Sequence, residues 1–181
     1  MGLKLRKILK EDLMLIAIWR MSEEVTKYMY TDPILNYEAQ LKWFKNIEAN
    51  PFARYWVITY DDKPIGVLCI TNIDMINKRC SWAYYIGDTS LRGKGIGKIL
   101  ECNIYDYVFE VLNLNKLCCE VLEFNEKVIE IHKKYGSEVE GVLKEHIIKN
   151  GKPHNVVVMG ITKDKWKTIK DLYSYEAIEI Q

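Results

Sequence analysis

The sequence has almost no net charge, no paired-cysteine motif and no long apolar run, and each shortage excludes a class of protein. Its 26 Lys and Arg stand against 25 Asp and Glu, a formal +1. That balance excludes the strongly basic footprint of a protein whose main partner is a nucleic acid. With 49% hydrophobic positions, it also excludes intrinsic disorder, which needs low hydrophobicity and a large net charge. The cysteines, Cys69, Cys80, Cys102, Cys118 and Cys119, are odd in number, form no C-x-x-C pair and have no histidine at zinc-finger spacing. We therefore expect a reducing compartment, no disulfide framework and no metal. The apolar run at residues 13–19 follows Glu11 and Asp12 and is too short for a membrane span or a cleaved signal core. A soluble cytoplasmic protein without a membrane or nucleic-acid partner is expected.

What is present is a chain of 181 residues with no internal repeat, low-complexity tract or linker-like shift in composition, so one domain over residues 1–181 is expected. The 12 Tyr and 5 Trp outnumber the 4 Phe, so many rings carry a polar atom that needs a partner when buried. Residues 3–8 alternate as a strand does, and from Glu11 the apolar spacing changes to a helical period. A second helix is expected over residues 37–47. A β-meander follows over residues 55–60, 65–73 and 80–86, with turns at residues 61–64 and 77–78. Residues 95–112 carry Ile96, Ile99, Leu100, Ile104, Val108 and Leu112 at helical spacing and form the best helix of the chain. Residues 116–122 read as a strand buried on both faces. Asn125 and Gly136 bracket a further helix as its cap and stop. A hairpin over residues 138–148 and 155–162, turning at residues 150–153, and a last helix over residues 164–175 close the chain. The order gives a mixed α/β (α+β) fold, neither doubly wound nor a sandwich.

The densest chemical signal is Ser90-Leu91-Arg92-Gly93-Lys94-Gly95-Ile96-Gly97-Lys98, between a strand and the long helix. Alternate glycines let successive N–H groups converge on an anion at a helix N-terminus, and Arg92, Lys94 and Lys98 add positive charge. A phosphate site follows. The spacing is neither a P-loop nor a dinucleotide fingerprint, and a tight turn with solvated charges would read the same way.

In this context Arg92, Gly95 and Gly97, as R-x-x-G-x-G between strand and helix, resemble the pyrophosphate arm of the GCN5-related (GNAT) N-acetyltransferases. The resemblance covers nearly the whole chain. Asn125 matches the family's pantetheine-side asparagine, while His132 stands where the family usually has a tyrosine. Trp19-Arg20, Glu23-Glu24-Val25, Lys27 to Tyr30 and Leu41 to Phe44, with residues 77–83 and 114–121, further resemble the branch that acetylates UDP-4-amino-4,6-dideoxy-N-acetyl-β-L-altrosamine in pseudaminic acid synthesis. Ribosomal-protein and spermidine acetyltransferases share much of this layout.

The resemblance implies a mostly antiparallel sheet of about seven strands, splayed between the fourth and fifth and flanked by helices on both faces. It implies acetyl-coenzyme A (acetyl-CoA) as co-substrate, held by Tyr84, Tyr85 and Ile86, by Arg92, Gly93, Lys94, Gly95, Ile96, Gly97 and Lys98, and by Asn125 and His132. Most of these donors would be main chain. His132 could return a proton to the departing thiolate, its unperturbed pKa lying near neutrality, or be one more polar residue on a helix. Asp74 and Glu120 are candidate bases for the amine, although a water chain is equally compatible. The branch places Arg20, Met29, Tyr30, Gln40, Thr71, Asn72 and Trp82 around a nucleotide-sugar pocket. Arg20 suits a diphosphate because guanidinium makes paired charge-assisted bonds. The expected function is acetyl transfer to the 4-amino group of a UDP-linked amino-dideoxy sugar. The rivals are a protein α-amine or polyamine acceptor, and an acyl-CoA-binding module without turnover. Exposed sheet edges would permit a homodimer.

Overall fold

The computed structural model describes residues 2–181. Strand β1 (Leu3–Lys7) buries Leu3 and Leu5 and leaves Lys4 and Arg6 partly exposed. A short 3-10 turn leads into α1 (Leu13–Met21). Asp12 fixes that junction: it accepts the Leu9 N–H at 2.8 Å and grips the Arg6 guanidinium with both oxygens, at 2.7 and 2.8 Å. A single turn, α2 (Glu23–Thr26), precedes α3 (Tyr37–Ala49), which Asn36 caps by accepting the Ala39 N–H. Strands β2 (Arg54–Tyr60), β3 (Lys63–Asp74) and β4 (Arg79–Ile86) form the meander. The β2–β3 turn is shorter than expected, because Asp61 and Asp62, at φ 48° and 61°, complete it alone. Paired left-handed residues match the twist of a two-residue hairpin.

Helix α4 (Ile96–Asp106) runs into a π-helical turn at Tyr107–Val111. Strand β5 (Lys116–Leu122), α5 (Glu126–Lys134), β6 (Glu138–Lys149), β7 (Lys152–Thr162), α6 (Lys163–Ile169) and β8 (Glu179–Ile180) follow. The strands hydrogen-bond in the order β6-β7-β5-β4-β3-β2-β1-β8. Pairs β1–β2, β2–β3, β5–β7 and β6–β7 are antiparallel, and β4–β5 and β1–β8 are parallel. The β4–β5 pairing joins Arg79, Cys80 and Ser81 to Lys116, Leu117 and Cys118.

The chain forms two compact units. Unit 1 comprises residues 1–71, 83–94 and 178–181, and unit 2 comprises residues 72–82 and 95–177. In unit 1, Ile8, Leu13, Ile16, Trp19, Phe44, Val57 and Val67 make one buried cluster. In unit 2, the fully buried Leu100, Ile104, Tyr105 and Phe109 of α4 and its extension face inward. Tyr105 meets Trp166 edge-on at 5.1 Å. Asp106 ties down the end of the chain's helical part, accepting from Trp166 Nε1 at 2.9 Å and from the Tyr175 hydroxyl at 2.6 Å.

Several expectations are corrected. Among the described residues the sheet has eight strands where about seven were expected: β8 has two residues and is held by its parallel pairing with β1. The last helix stops at Ile169 rather than at residue 175, because Tyr173 and Tyr175 turn back to bond Lys134 and Asp106. Strand β5 is not buried on both faces, since Glu120 is exposed. Asn125 precedes α5 without a side-chain capping bond.

Candidate active site

The glycine turn has the conformation its sequence calls for. Gly93 and Gly95 lie at φ 82° and 80°, where L side chains are strained. A Cβ at either would meet nothing within 4 Å, so open space rather than packing surrounds this main chain. Gly95 is the N-cap of α4, and its carbonyl accepts the N–H groups of Lys98 and Ile99 at 3.1 and 3.4 Å. Arg92 differs from expectation. Its guanidinium bonds Glu24 Oε2 at 3.2 Å, the Glu24 carbonyl at 3.1 Å and the Ile86 carbonyl at 3.0 Å. It therefore anchors the entry to the turn, leaving Lys94 and Lys98 as the cations that can meet an anion.

Tyr84, Tyr85 and Ile86 end β4, partly buried. Burial raises the Tyr85 phenol pKa, against the pull of the Arg20 cation, and Trp19 packs edge-on to the Tyr85 ring at 6.5 Å. After β4, the N–H groups of Gly87 and Asp88 both donate to the Ile65 carbonyl, at 2.8 and 3.0 Å.

Arg20 and Gln40 share a feature in unit 1. Arg20, on α1, donates from Nη2 to the Thr31 hydroxyl at 3.2 Å, but its buried Nη1 has no hydrogen-bond partner. Burial lowers the pKa of its guanidinium, while Tyr85 and Asp32 oppose the shift. Gln40, on α3, is 4% exposed, and its Oε1 is likewise unpartnered. A buried polar atom without a partner is costly, so a spare donor and a spare acceptor are features that a ligand would satisfy. Met29, Tyr30 and Thr71 are partly buried in the same unit.

The unit 2 candidates divide. Asn72 is exposed and left-handed at φ 52°. Trp82 is 3% exposed and packs edge-on to Tyr105 at 6.0 Å and to His132 at 5.5 Å. It is a core ring there, which corrects its expected place as an acceptor-lining residue. Asp74 is also corrected. Its Oδ1 accepts the Ile76 and Asn77 N–H groups, and its Oδ2 accepts the Asn77 side-chain amide at 2.7 Å. Those Asn77 bonds, the Ile76 bond and Arg79 lower its pKa. A carboxylate so engaged is a turn residue and a poor base. Glu120 alternates with Cys119 along β5 and so stands on the opposite sheet face from it.

His132, on α5, is 4% exposed. Its Nδ1 lies 2.9 Å from Glu101 Oε1. Glu101 Oε2 accepts from the Tyr105 hydroxyl at 2.8 Å, and that hydroxyl is 3.0 Å from Ser137 Oγ. Burial acts to lower the imidazole pKa, but hydrogen bonds to Cys119 and Glu101 outweigh it and raise the value to about 10. The sequence reading missed Glu101, Tyr105, Cys119 and Ser137. One signal was available: Glu101 is an acid on a helix face otherwise made of Leu100, Ile104, Tyr105 and Val108.

Among the described residues, no helix is long and apolar enough to cross a membrane, and no group of His, Cys, Asp or Glu is arranged to hold a metal ion. Residues 3–138 match the acetyltransferase (GNAT) domain family. The chain is 30% identical to a spermidine N(1)-acetyltransferase of Escherichia coli over 169 residues, 91% of this chain and 88% of that protein. It is 28% identical to the acetyltransferase PseH of Campylobacter jejuni over 123 residues, 67% of this chain and 74% of that one. The fold matches a spermidine N-acetyltransferase of Vibrio cholerae, crystallised with CoA and spermine, at a TM-score of 0.85 and 24% identity over 92% of this chain and 98% of that one. With the glycine turn, the mixed sheet and the family match together, the chain belongs to the GNAT acetyltransferase family and is an acetyl-CoA-dependent N-acetyltransferase.

Proposed function

We propose that this enzyme transfers acetyl directly to the 4-amino group of a UDP-linked amino-dideoxy sugar, as a single catalytic domain over residues 1–181. The observation that carries this reading is Arg20, a half-buried cation whose Nη1 has no partner. A desolvated guanidinium with a spare donor suits the diphosphate and hydroxyl oxygens of a nucleotide sugar and repels a polycation. Gln40 Oε1, buried and unpartnered, supplies an acceptor for a sugar hydroxyl or amide N–H. A polyamine acceptor is the second reading. It is supported by the spermidine acetyltransferase relatives, which span 91% of this chain against 67% for PseH.

Acetyl-CoA supplies the activated thioester. The residues fit it: the open main chain at Gly93 and Gly95, with Lys94 and Lys98, would hold the diphosphate, and the main chain of residues 84–86 would hold the pantetheine arm. Asn125 lies at the start of α5, on the pantetheine side in this reading. His132 holds a proton inside unit 2 and would return it to the departing thiolate. Deprotonation of the amine is assigned to Glu120 or to solvent, since Asp74 is engaged in its turn.

The test is thiol release from acetyl-CoA with a panel of amines: the UDP-linked 4-amino sugar, spermidine and a peptide with a free α-amine. Turnover is expected with the nucleotide sugar, with a KM that rises in Arg20→Gln. Turnover with spermidine and none with the sugar would transfer the assignment to the polyamine reading. Tight acetyl-CoA binding with no turnover on any amine would leave a binding module.

A further inference from the structure

Unit 2 encloses a hydrogen-bonded chain that the sugar assignment does not by itself require. Glu101 is fully buried on α4. Its two oxygens divide the work: Oε1 meets His132 Nδ1 at 2.9 Å, and Oε2 accepts from the Tyr105 hydroxyl at 2.8 Å. Because the Tyr105 proton is used on Glu101, the Ser137 hydroxyl 3.0 Å away is the donor to the Tyr105 oxygen. Every donor in the chain thus points toward Glu101, and none remains for Glu101 to supply.

An ionised carboxylate only accepts hydrogen bonds. Next to one, Nδ1 of His132 must carry a hydrogen whether the ring is neutral or charged. The atom that gains or loses a proton is then Nε2, and Cys119 acts with Glu101 to raise the ring's pKa. Cys119 follows directly on Cys118, the last β5 residue paired with β4. Trp82 closes the ring's flank edge-on at 5.5 Å. A histidine whose second nitrogen is fixed by a carboxylate is the arrangement by which one ring nitrogen is made the working proton carrier.

We infer that Glu101 is the positioning residue of His132: locked by Tyr105 and Ser137, it holds the imidazole by Nδ1 so that Nε2 carries the proton returned to the departing thiolate. The inference rests on the acetyl-transfer reading for that last step. The proton moves from Nε2 to the thiolate sulfur, leaving a neutral ring that keeps its Nδ1–H, and solvent recharges it. The groups acting on this centre are Glu101 and Tyr105 from α4 and Cys119 from β5. The Tyr135 and Tyr173 phenols and the Cys102 thiol feel the Glu101 charge.

Ring-nitrogen NMR of the intact protein tests it. The chain has three histidines, His132, His146 and His154, and loss of one signal set in His132→Gln assigns the ring. In the wild type the His132 ring should keep both N–H groups through the range near pH 6.5 where ordinary histidines titrate. In Glu101→Gln it should lose the Nε2 proton at lower pH. The basic limb of the kcat profile should move the same way, with kcat at pH 8 reduced roughly a hundredfold and the acetyl-CoA dissociation constant, read by calorimetry, unchanged. Glu101→Asp should restore part of the profile. A wild-type His132 ring that titrates near pH 6.5, or whose neutral form carries its hydrogen on Nε2, overturns the inference even if the Gln variant fails to fold. So does a folded Glu101→Gln enzyme with an unshifted profile. Absence of turnover on every amine would instead sink the substrate reading and leave the NMR result standing.

Discussion

Gly66 lies against the main chain of Tyr85, so close that a Cβ at position 66 would sit 2.1 Å from the Tyr85 carbonyl oxygen and 3.1 Å from Ile86 Cα. The obstacle is backbone, which cannot rotate away as a side chain can. Gly66→Ala must therefore push β3 and β4 apart at residues 85–86. We expect a loss of about 1–3 kcal/mol in urea unfolding, the usual range for overpacking, and several-fold weaker acetyl-CoA binding by calorimetry. Gly141→Ala, whose Cβ would meet nothing within 4 Å, is the control. Equal effects from the two would show that the close approach does not matter.

The turn glycines should behave in the opposite way. Gly93 and Gly95 have left-handed φ values but no neighbours where an added methyl would sit, so Ala at either meets conformational strain without a clash. Each substitution should cost about 1–2 kcal/mol of stability while weakening acetyl-CoA binding about tenfold, as the N–H groups lose their convergence. Unchanged cofactor affinity in both variants would remove the turn from the diphosphate site.

Gln40 offers a separation of stability from function. Replacing it with Leu removes a buried carbonyl oxygen that lacks a partner and keeps most of the side-chain volume. Thermal stability should hold or rise, by about 1 kcal/mol, while the KM for the acceptor increases and that for acetyl-CoA does not. A loss of stability with unchanged acceptor KM would make Gln40 a structural residue.

The His132–Glu101 pair also predicts a pH dependence of stability. The folded-state pKa of His132, about 10, lies above the roughly 6.5 of an unfolded histidine, so the folded state binds the proton more tightly. The stabilisation is complete below about pH 6.5 and is lost as pH rises through about 10. Unfolding free energy measured in urea should therefore decline across that window, and His132→Asn should flatten the decline. A wild-type slope retained in the variant would place its origin elsewhere.

The alternation of Leu3 and Leu5, the helical stripe through Leu100 and Ile104, and the glycines before α4 were legible because each is a local pattern whose period or backbone freedom has one structural meaning. The two-residue turn at Asp61–Asp62 and the strand Glu179–Ile180 were not. Asp is not a required turn residue, and a two-residue strand exists only because β1 offers it a parallel edge. Among site residues, the sequence could nominate Arg20, Gln40 and His132 by resemblance, but it could not tell a spare hydrogen-bonding atom from a satisfied one.

Family and cofactor were legible in the sequence through a resemblance that runs over nearly the whole chain, and the glycine turn before α4 through spacing within one short segment. Tertiary structure decided what the polar side chains do. It turned Arg92 onto Glu24 and Ile86, Asp74 into its own turn and Trp82 into the core. It also brought Glu101 to His132 across 31 residues of sequence. A buried charge must find its partner in space, and the distance along the chain carries no trace of that requirement.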